Sequence, residues 1–252
     1  MGAFKAFFRG FTAYFKVISL FSKLGLWRYL LLTAAISLGV MIVIGFIAYA
    51  MANVVLAIDW TSVFGGYKAF EIAAAVVAFV SVLAIGLLLF KHLVLIATAP
   101  WMGKVAERVS DHVTSLQGVE PGLPHGKTKA ERWTLIKRSI RLNGRLFSFE
   151  MMLTIPLLIL GLIPGVNIGA AVALIVVQSY FVGAGALDFT LEERYSYGES
   201  VAYFNQNRWL TIGLGLGFVL LLFTAIGFLF APAWSAAASA YAFHQRTGDQ
   251  RQ

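Results

Sequence analysis

Cysteine is absent from this 252-residue chain, which has only four histidines. The lack of cysteine excludes disulfides, iron–sulfur clusters, thiolate zinc sites and cysteine nucleophiles. None of the histidines stands in an HExxH-type helical motif, so the pattern of a metallohydrolase is missing as well. The sequence therefore predicts no metal site, no cofactor and no enzymatic activity.

Charge is also scarce: charged residues make up 13% of the chain, whereas hydrophobic residues make up 59%. The longest stretch without charge runs from Tyr29 to Ile58. As a helix it would extend about 45 Å, and the hydrocarbon core of a bilayer is only about 30 Å thick. No helix in a globular core needs to be so long and so apolar on every side. We therefore expect an integral membrane protein.

The chain contains four apolar blocks, and the first two predict complete crossings. The blocks cover residues 29–58, 72–99, 146–187 and 209–243. The third is interrupted at Gly161–Gly165, which includes Pro164, and the fourth at Ala231–Pro232. The last arm of the fourth block is too short to cross, which favours a re-entrant hairpin. Two ordinary crossings per block remain the alternative.

The predicted fold class is therefore an all-α integral membrane protein that forms a single domain over residues 1–252. It has two long transmembrane helices, two proline-broken helical hairpins that either re-enter or cross the membrane, and amphipathic surface helices.

Basic residues are concentrated in two segments, and this distribution predicts the orientation. Residues 1–28 hold five of the 20 basic residues and no acid, and residues 91–145 hold ten. The segment 59–71 between the first two blocks has only Lys68. The positive-inside rule places both basic segments in the cytoplasm and 59–71 outside. Such membrane-surface charge accounts for the net charge of +8 without a nucleic-acid partner.

The basic segments carry helical periodicity. In residues 1–28, aromatic and apolar residues share one face and basic residues the other, which is typical of an interfacial helix on an anionic leaflet. The second block predicts a helix that continues beyond Pro100. A Gly/Pro loop at 119–129 and a basic helix at 130–145 complete the cytoplasmic region. Membrane lipids are thus predicted partners.

Two further patterns within the apolar blocks have structural interpretations. The run Gly213–Gly217 alternates glycine and leucine, which favours close helix packing over a phosphate loop. Glu150 is the only carboxylate within the third block, residues 146–187. We expect it to pair with Arg145 or another basic residue of the loop, and a proton-relay role is the alternative.

The junction between the surface helix and the first crossing helix is the candidate site. It comprises Gly25, Leu26, Trp27 and Arg28, directly after Lys23 and Leu24. A chain break here would expose backbone N–H groups at a helix start, where the helix dipole favours an anion. Gly25 leaves room for close approach, and Arg28 offers a bidentate fork to an oxyanion. A glycine turn with an interfacial Trp and a snorkelling Arg would explain the same residues without a ligand.

The same residues carry a family resemblance. The segment 15–30, FKVISLFSKLGLWRYL, resembles the CysZ sulfate-transporter family, which shares a domain with the etoposide-induced 2.4 membrane proteins. Ala99–Pro100 followed by Glu107-Arg108-Val109, and the segment 180–232, extend the resemblance over nearly the whole chain.

The resemblance implies an oligomeric bacterial inner-membrane protein that takes up sulfate for cysteine synthesis without an ATPase domain. It also implies sulfate binding at Gly25, Leu26, Trp27 and Arg28, with Trp27 in place of one of two basic residues. Two functions remain open. One is a passive or ion-coupled permease for sulfate or a related oxyanion, and the other is a non-transporting scaffold that docks partners or anionic lipids through its basic cytoplasmic face.

Overall fold

The computed structural model describes residues 2–58, 68–118, 129–192, 194–224 and 226–249, and within these ranges the chain is helical without strands. The helices are α1 (Ala3–Lys16), α2 (Ile18–Lys23), α3 (Trp27–Leu56), α4 (Lys68–Leu116), α5 (Lys129–Leu160), α6 (Asn167–Leu191), α7 (Tyr197–Gln206), α8 (Arg208–Leu222) and α9 (Gly227–Asp249). The all-α prediction is confirmed. The predicted loops fall mainly at 59–67 and 119–128, outside the described residues.

Within the described residues, four helices are long and apolar enough to cross a membrane. The qualifying segments are Trp27–Leu56, Phe70–Leu116, Trp133–Leu160 and Asn167–Leu191. Helix α4 has 49 residues and passes through Pro100 without ending, as predicted. At 1.5 Å per residue it is about 74 Å long, more than twice the thickness of a hydrocarbon core. Much of α4 therefore extends beyond the apolar layer.

Helices α5 and α6 are separated by a turn at residues 161–166, where the sequence predicted the interruption. Gly165 has a φ of +87°, a left-handed conformation that a side chain would strain. Pro156 lies inside α5 and does not end it. The break in the third block is thus confirmed at the glycine-containing turn that includes Pro164.

The break in the fourth block is not where the sequence predicted it. Pro232 lies inside α9, and the chain turns earlier, between Leu222 and Gly227. Thr224 explains the difference, because its hydroxyl accepts a 3.0 Å hydrogen bond from the N–H of Gly227. Threonine hydroxyls commonly bond to nearby backbone N–H groups in turns, and this bond marks the turn before α9. Helix α8 consequently has 15 residues, about 22 Å, and is shorter than a full crossing.

Glycines allow α8 to pack directly against two other helices. A Cβ at Gly213 would overlap the carbonyl oxygen of Phe7 in α1, and one at Gly215 would overlap that of Ser179 in α6. On the opposing helices, Gly10 and Gly183 make similarly close approaches to the backbone of α8. The predicted close-packing role of Gly213–Gly217 is confirmed.

The amino-terminal segment is amphipathic as predicted, but it forms two helices and buries a different face. Its side towards α8 includes Arg9, Gly10, Ala13 and Tyr14. Tyr14 donates a 2.8 Å hydrogen bond to the carbonyl of Leu214. Arg9, which the periodicity placed on the polar face, is only 8% exposed. Several aromatic side chains remain exposed instead, namely Phe4, Phe8 and Phe15.

Candidate functional site

A glycine turn joins α2 to α3 and forms the candidate site. Helix α2 ends at Lys23, and Gly25 follows with a φ of +61°. The N–H of Leu26 reaches back 2.9 Å to the carbonyl of Phe21. Glycine in the left-handed region followed by this backward hydrogen bond is the Schellman arrangement that ends many helices. The turn lets α3 begin at Trp27 in a new direction.

The turn leaves several backbone donors available. Leu26 uses its N–H within the turn, whereas the N–H groups of Gly25, Trp27 and Arg28 have no acceptor among the described residues. No side chain caps the start of α3. A helix amino terminus concentrates partial positive charge on such donors, so an anion is favoured there. Three of the four predicted residues therefore present donors, and Leu26 does not.

Two guanidinium groups flank the turn. The Arg28 Cζ lies 4.9 Å from the ring centre of Tyr29, and the Arg108 Cζ of α4 lies 5.8 Å from the same ring centre. Arg108 also donates a 3.3 Å hydrogen bond from Nη1 to the carbonyl of Leu24. Both arginines are exposed. The structure thus brings a second cation to the turn, one that sequence reasoning did not assign to it.

The side chains of Leu26 and Trp27 contact apolar residues and offer no hydrogen-bond donor to an anion at the turn. Leu26 is completely buried in the hydrophobic core. The Trp27 ring lies 6.5 Å from the ring of Phe21 and lines an apolar groove with Leu30 and Trp234. Trp27 therefore offers its backbone N–H to the turn and its side chain to apolar surroundings.

Glu150 pairs with a basic residue of the 91–145 segment, as predicted, but the partner is Lys91 and not Arg145. Its carboxylate contacts Lys91 Nζ through one oxygen and lies 2.9 Å from His92 Nε2 through the other. The other ring nitrogen of His92 lies 3.4 Å from Asn143 Oδ1. The predicted partner Arg145 instead points its guanidinium at the Tyr197 hydroxyl, 3.4 Å away. The cluster fastens α4 to α5 with all three ionisable side chains hidden from solvent.

A second internal ion pair holds the short helix α7 in place. Arg138 binds both carboxylate oxygens of Asp188, at 2.7 and 3.2 Å. The same guanidinium donates to the Tyr195 carbonyl and to the Ser200 hydroxyl at 2.7 and 2.8 Å. Sequence reasoning missed this pair, whose members stand 50 positions apart. The sequence signal was an aspartate directly after the third apolar block.

Comparison with known proteins agrees with these features. A family model described as sulfate transporter CysZ/etoposide-induced protein 2.4 matches residues 13–232. A Pseudomonas fluorescens protein named sulfate transporter CysZ is 26% identical over 159 residues. That alignment covers 62% of this chain and 62% of the relative, so the similarity spans less than two thirds of the relative's length. The matched family residues include the turn at Gly25, Arg108 and the Glu150 cluster.

Proposed function

Because this chain belongs to the family of sulfate transporter CysZ and etoposide-induced protein 2.4, and its helices make it an integral membrane protein, we propose that it is a permease for sulfate or a closely related oxyanion. The family name describes transport rather than catalysis, in agreement with the expectation of a non-enzyme. Transport would be downhill or ion-coupled and would supply sulfate for cysteine synthesis.

The observation that best supports anion binding is the turn at Gly25. It combines three backbone N–H groups that have no acceptor in the described parts of the chain with the exposed guanidinium of Arg28. A tetrahedral oxyanion accepts several hydrogen bonds at once, and charge-assisted bonds are the stronger kind. We assign Gly25, Trp27 and Arg28 as direct ligands, while Leu26 holds the turn through its N–H and its buried side chain.

Arg108 compensates for the charge that Trp27 removes from the turn. Its guanidinium approaches Tyr29 from α4 and is already bonded to the Leu24 carbonyl beside Gly25. A sulfate at the turn would then lie between cations from two helices. In this proposal the second basic residue of the site comes from a distant part of the chain.

The proposed topology follows the charge distribution and the helix lengths. The protein sits in a bacterial inner membrane as a homo-oligomer, with its amino terminus and residues 91–145 in the cytoplasm. Helix α8, at 15 residues, supports a re-entrant hairpin with α9. Helices α5 and α6 form the other hairpin. The apolar part of α5, from residue 146 to Leu160, is about as short as α8. The turns at 161–166 and 223–226 then lie within the membrane-embedded part of the oligomer.

Sulfate binding by the purified protein tests this proposal. We expect wild-type protein to bind sulfate, and Arg28→Ala and Arg108→Ala each to weaken binding by about tenfold or more. Lys137→Ala is the matched control, since it removes an exposed cation that stacks on Trp133 away from the turn. If Lys137→Ala weakened sulfate binding equally, the loss would reflect general surface charge and not a site at the turn. Undiminished binding in Arg28→Ala would remove the turn from the mechanism and favour the scaffold function.

A further inference from the structure

A groove between α5, α6 and α7 combines an apolar wall with polar side chains. It encloses about 290 Å³ and is open along one side. Its apolar wall includes Leu146, Phe149 and Leu153 of α5 and Phe181 of α6. Arg145 and Asn205 form its polar end, where the Arg145 Cζ lies 5.6 Å from the ring centre of Phe149. Such an arrangement suits a ligand that has a long apolar part and a polar head.

The polar end of the groove is rich in donors and in positive charge. Tyr180 donates a 2.9 Å hydrogen bond to the Asn205 Oδ1, which leaves the amide N–H groups of Asn205 without an acceptor among the described residues. Arg208 adjoins this position because its Nε donates to the Asn205 carbonyl at 3.0 Å. Within the described ranges, no carboxylate pairs with Arg145 or Arg208. An anionic group would complete this end of the groove.

The orientation of the groove fits a lipid in the bilayer. From Arg145 to Leu153, α5 rises about 12 Å into its apolar half. Arg145 belongs to the basic segment that charge distribution assigns to the cytoplasmic side, and the third apolar block begins directly after it. Phe149, Met152 and Leu153 are 44–63% exposed, so the apolar wall is accessible from the side. The polar end therefore stands at headgroup level and the apolar wall at the depth of acyl chains.

We propose that this groove binds an anionic phospholipid, with an acyl chain along Leu146, Phe149 and Leu153 and the headgroup phosphate held by Arg145, Asn205 and Arg208. Basic pockets between helices on the cytoplasmic side are suited to anionic headgroups, and a bidentate guanidinium matches the phosphate geometry. The lipid links α5 to α7 and to the start of α8. This site is separate from the turn at Gly25 and does not depend on sulfate transport.

Native mass spectrometry of the detergent-solubilised full chain, titrated with phosphatidylglycerol or phosphatidylcholine, tests the proposal. We expect wild-type protein to retain phosphatidylglycerol with at least about tenfold preference over phosphatidylcholine. The double variant Arg145→Gln/Arg208→Gln should lose that preference. Its control, Lys16→Gln/Lys137→Gln, removes the same charge from exposed positions and should keep it. Leu153→Trp should reduce retention by filling the apolar wall, whereas Leu38→Trp, at an exposed leucine of α3, should not.

Three outcomes would overturn the lipid site. Equal retention of the two lipids by wild-type protein would show that the headgroup is not recognised. The same loss in the Lys16/Lys137 control would show that diffuse charge, not the groove, attracts the lipid. A change of oligomeric mass in Leu153→Trp with lipid retention unaltered would show that a second copy of the chain occupies the groove.

Discussion

Glu150 is completely buried, and its carboxylate serves both Lys91 and His92. Separating buried charges from water is costly, so such a cluster is tolerated only when its members satisfy one another. Lys91 and His92 belong to the second apolar block and Glu150 to the third, so the sequence alone did not show that they meet. Arg145, close in sequence, was the natural expectation, but the helix directs it to Tyr197 and Phe149.

Removing the carboxylate should therefore destabilise the protein strongly. We expect Glu150→Ala to lower the free energy of unfolding by about 3–5 kcal/mol, because it leaves Lys91 buried without a partner. The double variant Lys91→Met/Glu150→Leu should recover much of that loss, since it removes both charges together. Thermal melting of the purified variants in detergent measures both changes. A Glu150→Ala protein as stable as wild type would show that the cluster does not fasten α4 to α5.

His244 gives a pH-dependent contribution to stability. Burial, with a smaller contribution from Arg194, lowers its pKa from 6.5 to about 4. The folded protein therefore keeps this ring neutral between these values, while the unfolded chain takes up a proton. Since the unfolded state binds more protons, stability should fall as the pH decreases from 6.5 towards 4. In His244→Gln the slope of melting temperature against pH in this window should be shallower, and an unchanged slope would contradict the assignment.

The residues of the candidate site were only partly predictable. Gly25 and Arg28 could be identified because glycine ends helices and arginine suits oxyanions, and the two residues are only three positions apart in the sequence. Arg108 could not be placed there, because it lies 84 positions from Leu24 and only the packing of α4 against α3 brings it to the turn. Local sequence patterns indicate a helix start but not which distant helix passes beside it.

At the scale of elements, α8 depends on glycine for its position. It passes α1 and α6 so closely that Gly213 and Gly215 face backbone atoms of the neighbouring helices. The alternating Gly-Leu run predicted this packing, since small residues allow helix axes to approach in membranes.

We expect Gly215→Ala to lower the melting temperature, because its Cβ would overlap the Ser179 carbonyl and force α8 away from α6. Gly39→Ala is the matched control, since no atom lies within 4 Å of a Cβ at that helical position. There alanine should be neutral or stabilising, as it has a higher helix propensity than glycine. The melting temperatures of the two variants in detergent provide the comparison. A Gly215→Ala protein that melts like Gly39→Ala would contradict direct packing.

The helix boundaries show where sequence reasoning at this scale succeeds. The ends of α3 and the turn between α5 and α6 followed from apolar length and from glycine. The predicted break at Pro232 was wrong: Pro232 lies inside α9, and the turn comes earlier, where the Thr224 hydroxyl accepts a hydrogen bond from the N–H of Gly227. A proline indicates a lost hydrogen bond, but the surrounding packing decides whether the helix ends there.

At the scale of the whole molecule, α4 provides a direct test of orientation. Its ends, Lys68 and Leu116, are separated by about 72 Å, so they should lie on opposite sides of the membrane. The natural absence of cysteine allows single-cysteine labelling with a membrane-impermeant thiol reagent. In right-side-out vesicles, Lys68→Cys should react at once, and Ser115→Cys only after permeabilisation. The cysteine-free wild type is the control, and the reverse pattern would invert the proposed topology.

The proposed function is tested most directly by sulfate flux into liposomes that contain the purified protein, with chloride and phosphate as competitors. The proposal predicts saturable entry that is selective for sulfate. Entry should be reduced in Arg28→Ala and Arg108→Ala and unchanged in Lys137→Ala. A well-folded protein that moves no anion under these conditions would contradict the permease function and leave the scaffold as the function to pursue.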